Sequence, residues 1–335
     1  MIPKSIISFS FLLLIFTGCS SDPLDVSIED VSVPTRYIHL DSLFVNSNDR
    51  ELMKVHQSML SESPEIYEFE LGYCLRFGNS SDTALVNGLR LFLADTYIKR
   101  LEKRIEEQFS QMETYKTEIT KGLRHLKVHF PKGLIPEHVV FMNSLFMANA
   151  FSTERQIGIG LERYLGSKTD VIKELPGQEF PLWMREAMDK QYLSRDALAS
   201  WIMTHYIAET KGNLAEEMVR WGKVLYLVRA AFPDKDPSWI MRYSKEDYKW
   251  AKDNEYAFWK YLVEQKMLFK TDESLAADLL KEGPFTPGLP EKGPDRLGQF
   301  LGLQIIERYM ENKEVTLEQL IKTPYSTILV EYDIE

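Results

Sequence analysis

Cysteine is scarce in this chain: Cys19 and Cys74 stand alone among 335 residues. Two cysteines make no disulfide framework, so the fold must be held by its core. Cys74 falls among apolar residues at helical spacing, with Leu71 and Leu75, and reads as part of that core. Histidine is scarce too. His39, His56, His125, His129, His138 and His205 are the only six, and no HExxH occurs. The nearest spacing, His125 to His129, carries leucine where a zinc peptidase needs its general-base glutamate. Phe130-Pro131 favours extension here, and in a strand the two imidazoles lie about 13 Å apart, too far to share a metal. There is no GxSxG, no catalytic-cysteine pattern and no GxxxxGK[ST] phosphate loop. A net charge of −10 leaves no basic stripe, which excludes a nucleic-acid partner. The short run Lys99, Arg100, Lys103 and Arg104 alternates with acids and reads as a solvated helix face. No internal repeat or low-complexity segment breaks the chain.

What is present begins with a targeting segment. Lys4 forms a charged start and Ile6 to Phe16 an apolar run too short to span a bilayer as a mature helix. Phe16-Thr17-Gly18-Cys19 resembles a bacterial lipobox. The expectation is a signal peptide over 1–18 and Cys19 as the diacylated, then acylated, new N-terminus. Several acyl chains make stable anchoring plausible where one is marginal. Residues 19–35 are polar and acidic and read as a tether. A single globular domain is expected over 36–335, with a division into lobes 36–195 and 196–335 as an option.

Periodicity fills in that domain. Arg36 to Asp41 alternates as a short strand. Ser63-Pro64 opens a helix over Glu65 to Phe77, and Asp82 to Leu126 reads as two or three helices. His125 to Phe130 alternates, Val139 to Phe146 reads as a strand, and Gln156 to Leu161 as a second. From Pro181 the chain is nearly all helix, over 181–190, 195–209, 214–231, 237–243 and 245–269. Starts are marked by Asn213 with Glu216, Asp236 before Pro237, Ser244 with Asp247, and Thr316 with Gln319. Many helices around a small sheet define an α+β, predominantly helical class.

The stretch Gly283 to Met310 is the most unusual. Pro284, Pro287, Pro290 and Pro294 forbid helix or central strand through its first half. After Asp295, a plausible N-cap, Leu297, Phe300, Leu301 and Ile305 repeat at threes and fours. Gly298 and Gly302 lie on one face of this helix, and each costs about 1 kcal/mol against alanine. Gly222 sits in the middle of the helix 214–231. These glycines predict two helices crossing closely, with Lys223 and Arg296 at the rim. Gly222, Lys223, Tyr226, Arg296, Gly298, Gly302 and Tyr309 are therefore the candidates for a groove, with an anion or peptide site at its rim. Core packing with snorkelling cations is the plainer alternative. For metal, His205 and Glu209 lie one turn apart on the expected helix 195–209, and a third ligand is not evident. No cofactor is expected.

The segments IGIGLERYLG (157–166), PLWMREAM (181–188), GKVLY (222–226), EYAFWKYLVEQKMLFKTD (255–272) and DRLGQFLGLQIIERYM (295–310) resemble the GldB-type gliding-motility lipoproteins. Their order and spacing carry the resemblance, which runs over nearly the whole mature chain. Asp295 departs from the Pro-Gly-Arg expected at that turn. Membership implies a non-catalytic, lipid-anchored accessory of surface motility and its linked protein-secretion machinery. It would face the periplasm from the outer membrane and act by protein–protein contacts. The layout also resembles zinc peptidases of the HExxH type, implying a degenerate zincin-like architecture whose metal site is lost. Two alternatives stay open: a divergent zinc metallopeptidase-like hydrolase using His205 and Glu209, and a periplasmic peptide- or glycan-binding lipoprotein using some of its 16 Tyr and 6 Trp.

Overall fold

The computed structural model describes residues 22–77, 84–289 and 293–332. Cys19, Pro290 and the start of the Asp82–Leu126 segment lie outside them. Among the described residues a four-stranded sheet is formed by β1 (Arg36–His39), β2 (His138–Met142), β3 (Ala150–Ser152) and β4 (Gln156–Gly160), in the order β1-β2-β4-β3. β1, β2 and β4 run parallel, and β3 is an antiparallel edge. Ahead of β2 come α1 (Leu40–Val45), α2 (Asp49–Glu62), α3 (Pro64–Glu68), a π-helical turn (Phe69–Cys74), α4 (Leu85–Ala94), α5 (Thr96–Gln108) and α6 (Met112–His129). After β4 follow a 3₁₀ turn (Leu161–Tyr164), α7 (Asp170–Lys173), α8 (Leu182–Glu186), α9 (Leu193–His205), α10 (Leu214–Ala231) and α11 (Pro237–Met241). The chain ends in α12 (Lys245–Asp253), α13 (Glu255–Glu264), α14 (Glu273–Leu280), α15 (Leu297–Asn312), α16 (Leu317–Lys322) and α17 (Tyr325–Leu329). The class is α+β and predominantly helical, as its periodicity predicts.

β2 is the hinge of the packing, because both its faces are buried. Val139 and Phe141 join the larger core, with Ile157 and Ile159 of β4 and Leu198, Leu225 and Leu301 of the helices. Val140 and Met142 point the other way, into a smaller core of Leu40, Leu52, Ile66 and Leu71. A strand covered on both faces reads as one continuous apolar run, which is what HVVFM is. The larger core draws on residues from both sides of the 195/196 division. The smaller one gathers residues 40–89 with β2.

Several boundaries differ from the expectation. His125–Phe130 is not a strand: α6 runs on to His129, because Ile119, Leu123 and Leu126 keep a helical stripe buried beneath the apparent alternation. The strand expected to reach Phe146 ends at Met142. Leu145 and Phe146 both have positive φ, 51° and 65°, and turn the chain toward β3. The helix expected over 195–209 stops at His205, and 245–269 is broken at Asn254 into α12 and α13. β3, α14 and α17 are too short to show a period. The predicted caps at Asn213, Asp236, Ser244 and Thr316 all accept backbone N–H bonds at their helix starts. Ser63 does not cap α3, and its Oγ meets His138 Nδ1 at 3.2 Å instead.

The described part of the expected tether, 22–35, lies against the body. Leu24 is buried in the larger core, Asp22 pairs with Arg229 at 2.7 Å, and Arg124 donates to the Glu29 carbonyl at 2.9 Å.

Candidate recognition pocket

Two backbone turns position this pocket. Arg242 ends α11 with φ 55°, and Arg296 precedes α15 with φ 51°. A non-glycine residue in the left-handed region costs on the order of 1–2 kcal/mol and persists only where its surroundings fix it. Both arginines are fixed by their side chains. Arg242 places Nη1 at 3.0 Å from Asp196 Oδ2, donates Nη2 to the Ala187 carbonyl and lies 4.9 Å above the Tyr192 ring. Arg296 places Nε at 2.9 Å from Asp295 Oδ2 and lies 5.3 Å above the Tyr243 ring. Its Nη1 comes no closer than 3.9 Å to Glu282, outside hydrogen-bond reach.

A second set of bonds holds these anchors. Asp196 also accepts from Arg195 Nη1 and from the Tyr164 hydroxyl, each at 3.0 Å. The Tyr164 hydroxyl is held far above its ordinary range by burial and by Asp196. Asp295 accepts the Gly283 N–H at 3.0 Å, which clamps the base of the proline-rich loop. Asp295 stands where a glycine was expected, and it gives Arg296 a carboxylate partner. Burial pushes the Glu282 carboxyl up, but the guanidiniums of Arg242 and Arg296 outweigh it and leave it below its ordinary range.

The cavity above these residues measures about 460 Å³ and is bordered by Trp183 and Glu186 of α8, Asp247 of α12 and Pro284. Its carboxylates outnumber its guanidiniums, so it does not favour a free anion. No histidine or cysteine lines it, and Ser244 Oγ is spent on Asp247 at 2.7 Å. The arrangement offers a rigid floor, aromatic walls and donors beside acceptors, which matches a polypeptide segment.

Of the predicted groove residues, Arg296 alone reaches this pocket. The helix crossing is real but closed: a Cβ on Gly222 would stand 2.1 Å from the Gly302 carbonyl oxygen. No groove passes between α10 and α15. Gly298 serves a different neighbour, facing Leu279 and Leu280 of α14. Lys223 does not share a rim with Arg296. It is buried, and its Nζ donates to the Thr323 and Ile321 carbonyls at 2.7 and 3.3 Å, closing the C-terminus of α16. Burial lowers its amine to about 8. Tyr226 and Tyr309 are buried core residues. Lys223→Met should keep the stem and strand those carbonyls, lowering unfolding free energy by about 1–3 kcal/mol. A denaturant midpoint unchanged from wild type would show that these bonds carry nothing.

His205 and Glu209 do not come together. His205 stacks on Trp201 with ring centroids 3.7 Å apart, and its Nε2 meets the Thr153 carbonyl at 3.0 Å. Glu209 lies beyond the end of α9 and is exposed. Among the described residues no three His, Cys, Asp or Glu side chains stand together as a metal-binding group. His125 and His129 share a helix after all, but His129 Nε2 is taken by the Leu24 carbonyl at 3.3 Å.

A predominantly helical α+β body with a preorganised, mixed-charge pocket is the class that fold and site define. The chain belongs to the gliding motility protein GldB family, whose model matches residues 21–333. It is thus a lipoprotein of the cell envelope involved in gliding motility. No curated protein and no solved structure matches the chain.

Proposed function

We propose that this protein is a non-catalytic accessory of gliding motility and its linked protein secretion, working by gripping a partner polypeptide in the Arg242–Arg296 pocket. It is anchored through Cys19 in the outer membrane and faces the periplasm. The observation that carries this reading is the pocket floor. Two guanidiniums are held in strained backbone turns by fixed carboxylates and aromatic rings, with no nucleophile or histidine beside them. Such preorganisation serves binding, because little ordering remains to be done when a partner docks. Beside the pocket Leu182 is 67% exposed and Trp183 forms its wall, an apolar contact next to a polar one.

The test is a pull-down from mildly crosslinked native envelopes. Wild type should enrich motility or secretion proteins. Trp183→Ala with Glu186→Lys, both at the rim and away from the core, should reduce that enrichment about tenfold or more. Cys19→Ala should abolish it by removing the anchor. A partner set indifferent to the rim variant would overturn the assignment of the pocket.

A further inference from the structure

A second cavity, of about 660 Å³, opens at the C-terminal ends of the parallel strands. Its wall takes His39 from the end of β1, Asp41 from α1, Glu102 from α5 and Leu161 from the end of β4. Crevices at the carboxyl ends of parallel strands are recurrent ligand sites. Behind the wall lie two more carboxylates, Glu70 and Glu162, both buried.

These four carboxylates form no ion pair. None of them is within ion-pair distance of a described lysine, arginine or histidine, although buried charges are ordinarily paired. Glu162 is satisfied by neutral donors: the backbone N–H groups of Ser144 and Phe146 at 3.2 and 2.8 Å, and the Ser144 hydroxyl. Glu102 accepts one bond, from Asn143 Nδ2 at 2.7 Å. Asp41 is only 9% exposed, lines the cavity, and its Oδ1 has no hydrogen-bond partner. His39 cannot supply the missing charge, because burial first and Lys116 second hold its imidazole down at about 4. A metal ion does not fit either, since no group of ligands converges here.

Val45, Leu93, Ile105 and Phe109 give the remaining wall an apolar strip, with Ser42, Asn46 and Ser110 beside it, while Lys99, Lys103 and Glu106 stand exposed at the mouth. We infer that this cavity binds a primary ammonium or guanidinium group at the end of an alkyl chain, its cationic head against Asp41 and Glu102 and its stem along the apolar walls. Charge-assisted bonds to Asp41, and to Glu102 once the arriving cation displaces its proton to solvent, give the head its hold, and burial of methylenes adds to it. The mouth lysines disfavour a second cation at the trailing end. That separates two sources of the same chemistry, a free polyamine and the basic side chain of a polypeptide.

Calorimetric titration of the full-length protein in detergent tests this with three probes: n-butylammonium, putrescine and Nα-acetyl-lysine methylamide. All should bind wild type in the millimolar range or tighter. Asp41→Asn and Glu102→Gln should each weaken binding about tenfold or more. Neither variant removes a packing contact, and thermal melts would show both folded. Tighter binding of the capped lysine than of putrescine assigns the site to a polypeptide side chain, and the reverse order to a free polyamine. No binding at millimolar cation, or equal affinity in the double amide variant, overturns the inference.

Discussion

Gly302→Ala should destabilise this protein well beyond the effect of an ordinary alanine substitution in a helix. The new Cβ would stand 1.9 Å from the Met218 carbonyl oxygen and 2.7 Å from its carbon, both backbone atoms that cannot rotate away. α10 and α15 would have to separate by about 1 Å or more to restore contact. Met218, Val219, Leu301, Ile305 and Ile306 are buried around that crossing and would lose their packing together. Overpacking of a close-packed core costs 1–3 kcal/mol in ordinary cases, and a clash with backbone falls at the top of that range. Alanine returns about 1 kcal/mol of helix propensity. The expected net loss is about 2 kcal/mol, or roughly 3 °C in Tm. Gly298→Ala is the graded control. Its Cβ meets Leu280 Cδ2 and the Leu279 carbonyl oxygen at 2.9 Å; the leucine tip can yield and the backbone oxygen need give only a few tenths of an ångström, so the loss should be smaller than that of Gly302→Ala. Gly88→Ala in α4, with Phe77 at an ordinary 3.5 Å, should stabilise slightly. Equal melting of the Gly302 and Gly88 variants would show that the crossing is not closed. Gly222→Ala tests the same contact from the other helix.

That crossing was legible in the sequence because a glycine inside a helix is a local anomaly with a visible cost. The caps were legible for a similar reason: Asn213, Ser244 and Thr316 act within three residues of their own position. What the sequence did not disclose is long-range. Arg242 reads as an ordinary residue inside the expected helix 237–243, and only the fold ends that helix before it and brings it to Asp196, 46 positions earlier. Lys223 and Arg296 were placed together because both flank glycines of one crossing. Lys223 instead faces α16, a partner that nothing near residue 223 announces. The carboxylate cavity left one signal that could have been read. Ile98, Leu101, Ile105 and Phe109 form the buried stripe of α5, and Glu102 falls within it. An acid on an apolar stripe must be protonated, paired or functional. Asp41, Glu70 and Glu162 join Glu102 only through the sheet, so their number and their lack of partners appear only in three dimensions.

The buried carboxyls should make stability fall as the pH rises from 6.5 to 8, the opposite of what paired carboxylates give. Burial first, with Asp41 and Glu162 adding to it, raises Glu102 to about 8 despite the Asn143 hydrogen bond. Burial also lifts Glu70 well above its ordinary range, with Glu162 and Glu102 contributing. In the unfolded chain both ionise near 4.5. Between 6.5 and 8 the folded state therefore binds more protons than the unfolded state, and stability falls as pH rises. Each group contributes up to 1.36 kcal/mol per pH unit, so Glu102 alone should cost about 1.5 kcal/mol across this interval, and Glu70 adds to it with the same sign. Asp41, raised to about 6, has already ionised in the folded protein below this window. The five histidines held low by burial act with the opposite sign: still half-protonated at pH 6.5 in the unfolded chain, each returns about 0.4 kcal/mol by pH 8, so the comparison with Glu102→Gln, in which they cancel, carries the test. Lys223, lowered to about 8, offsets only the last fraction of a unit. Glu102→Gln should keep the acceptor for Asn143, remove the share of the slope that Glu102 contributes, and raise stability at pH 8 by about 2 kcal/mol or more while changing little at pH 5. Urea unfolding at pH 5, 6.5 and 8 measures both proteins. A Glu102→Gln slope equal to that of wild type would place the proton elsewhere. A loss of stability at every pH would mean that Glu102 is ionised in the folded protein.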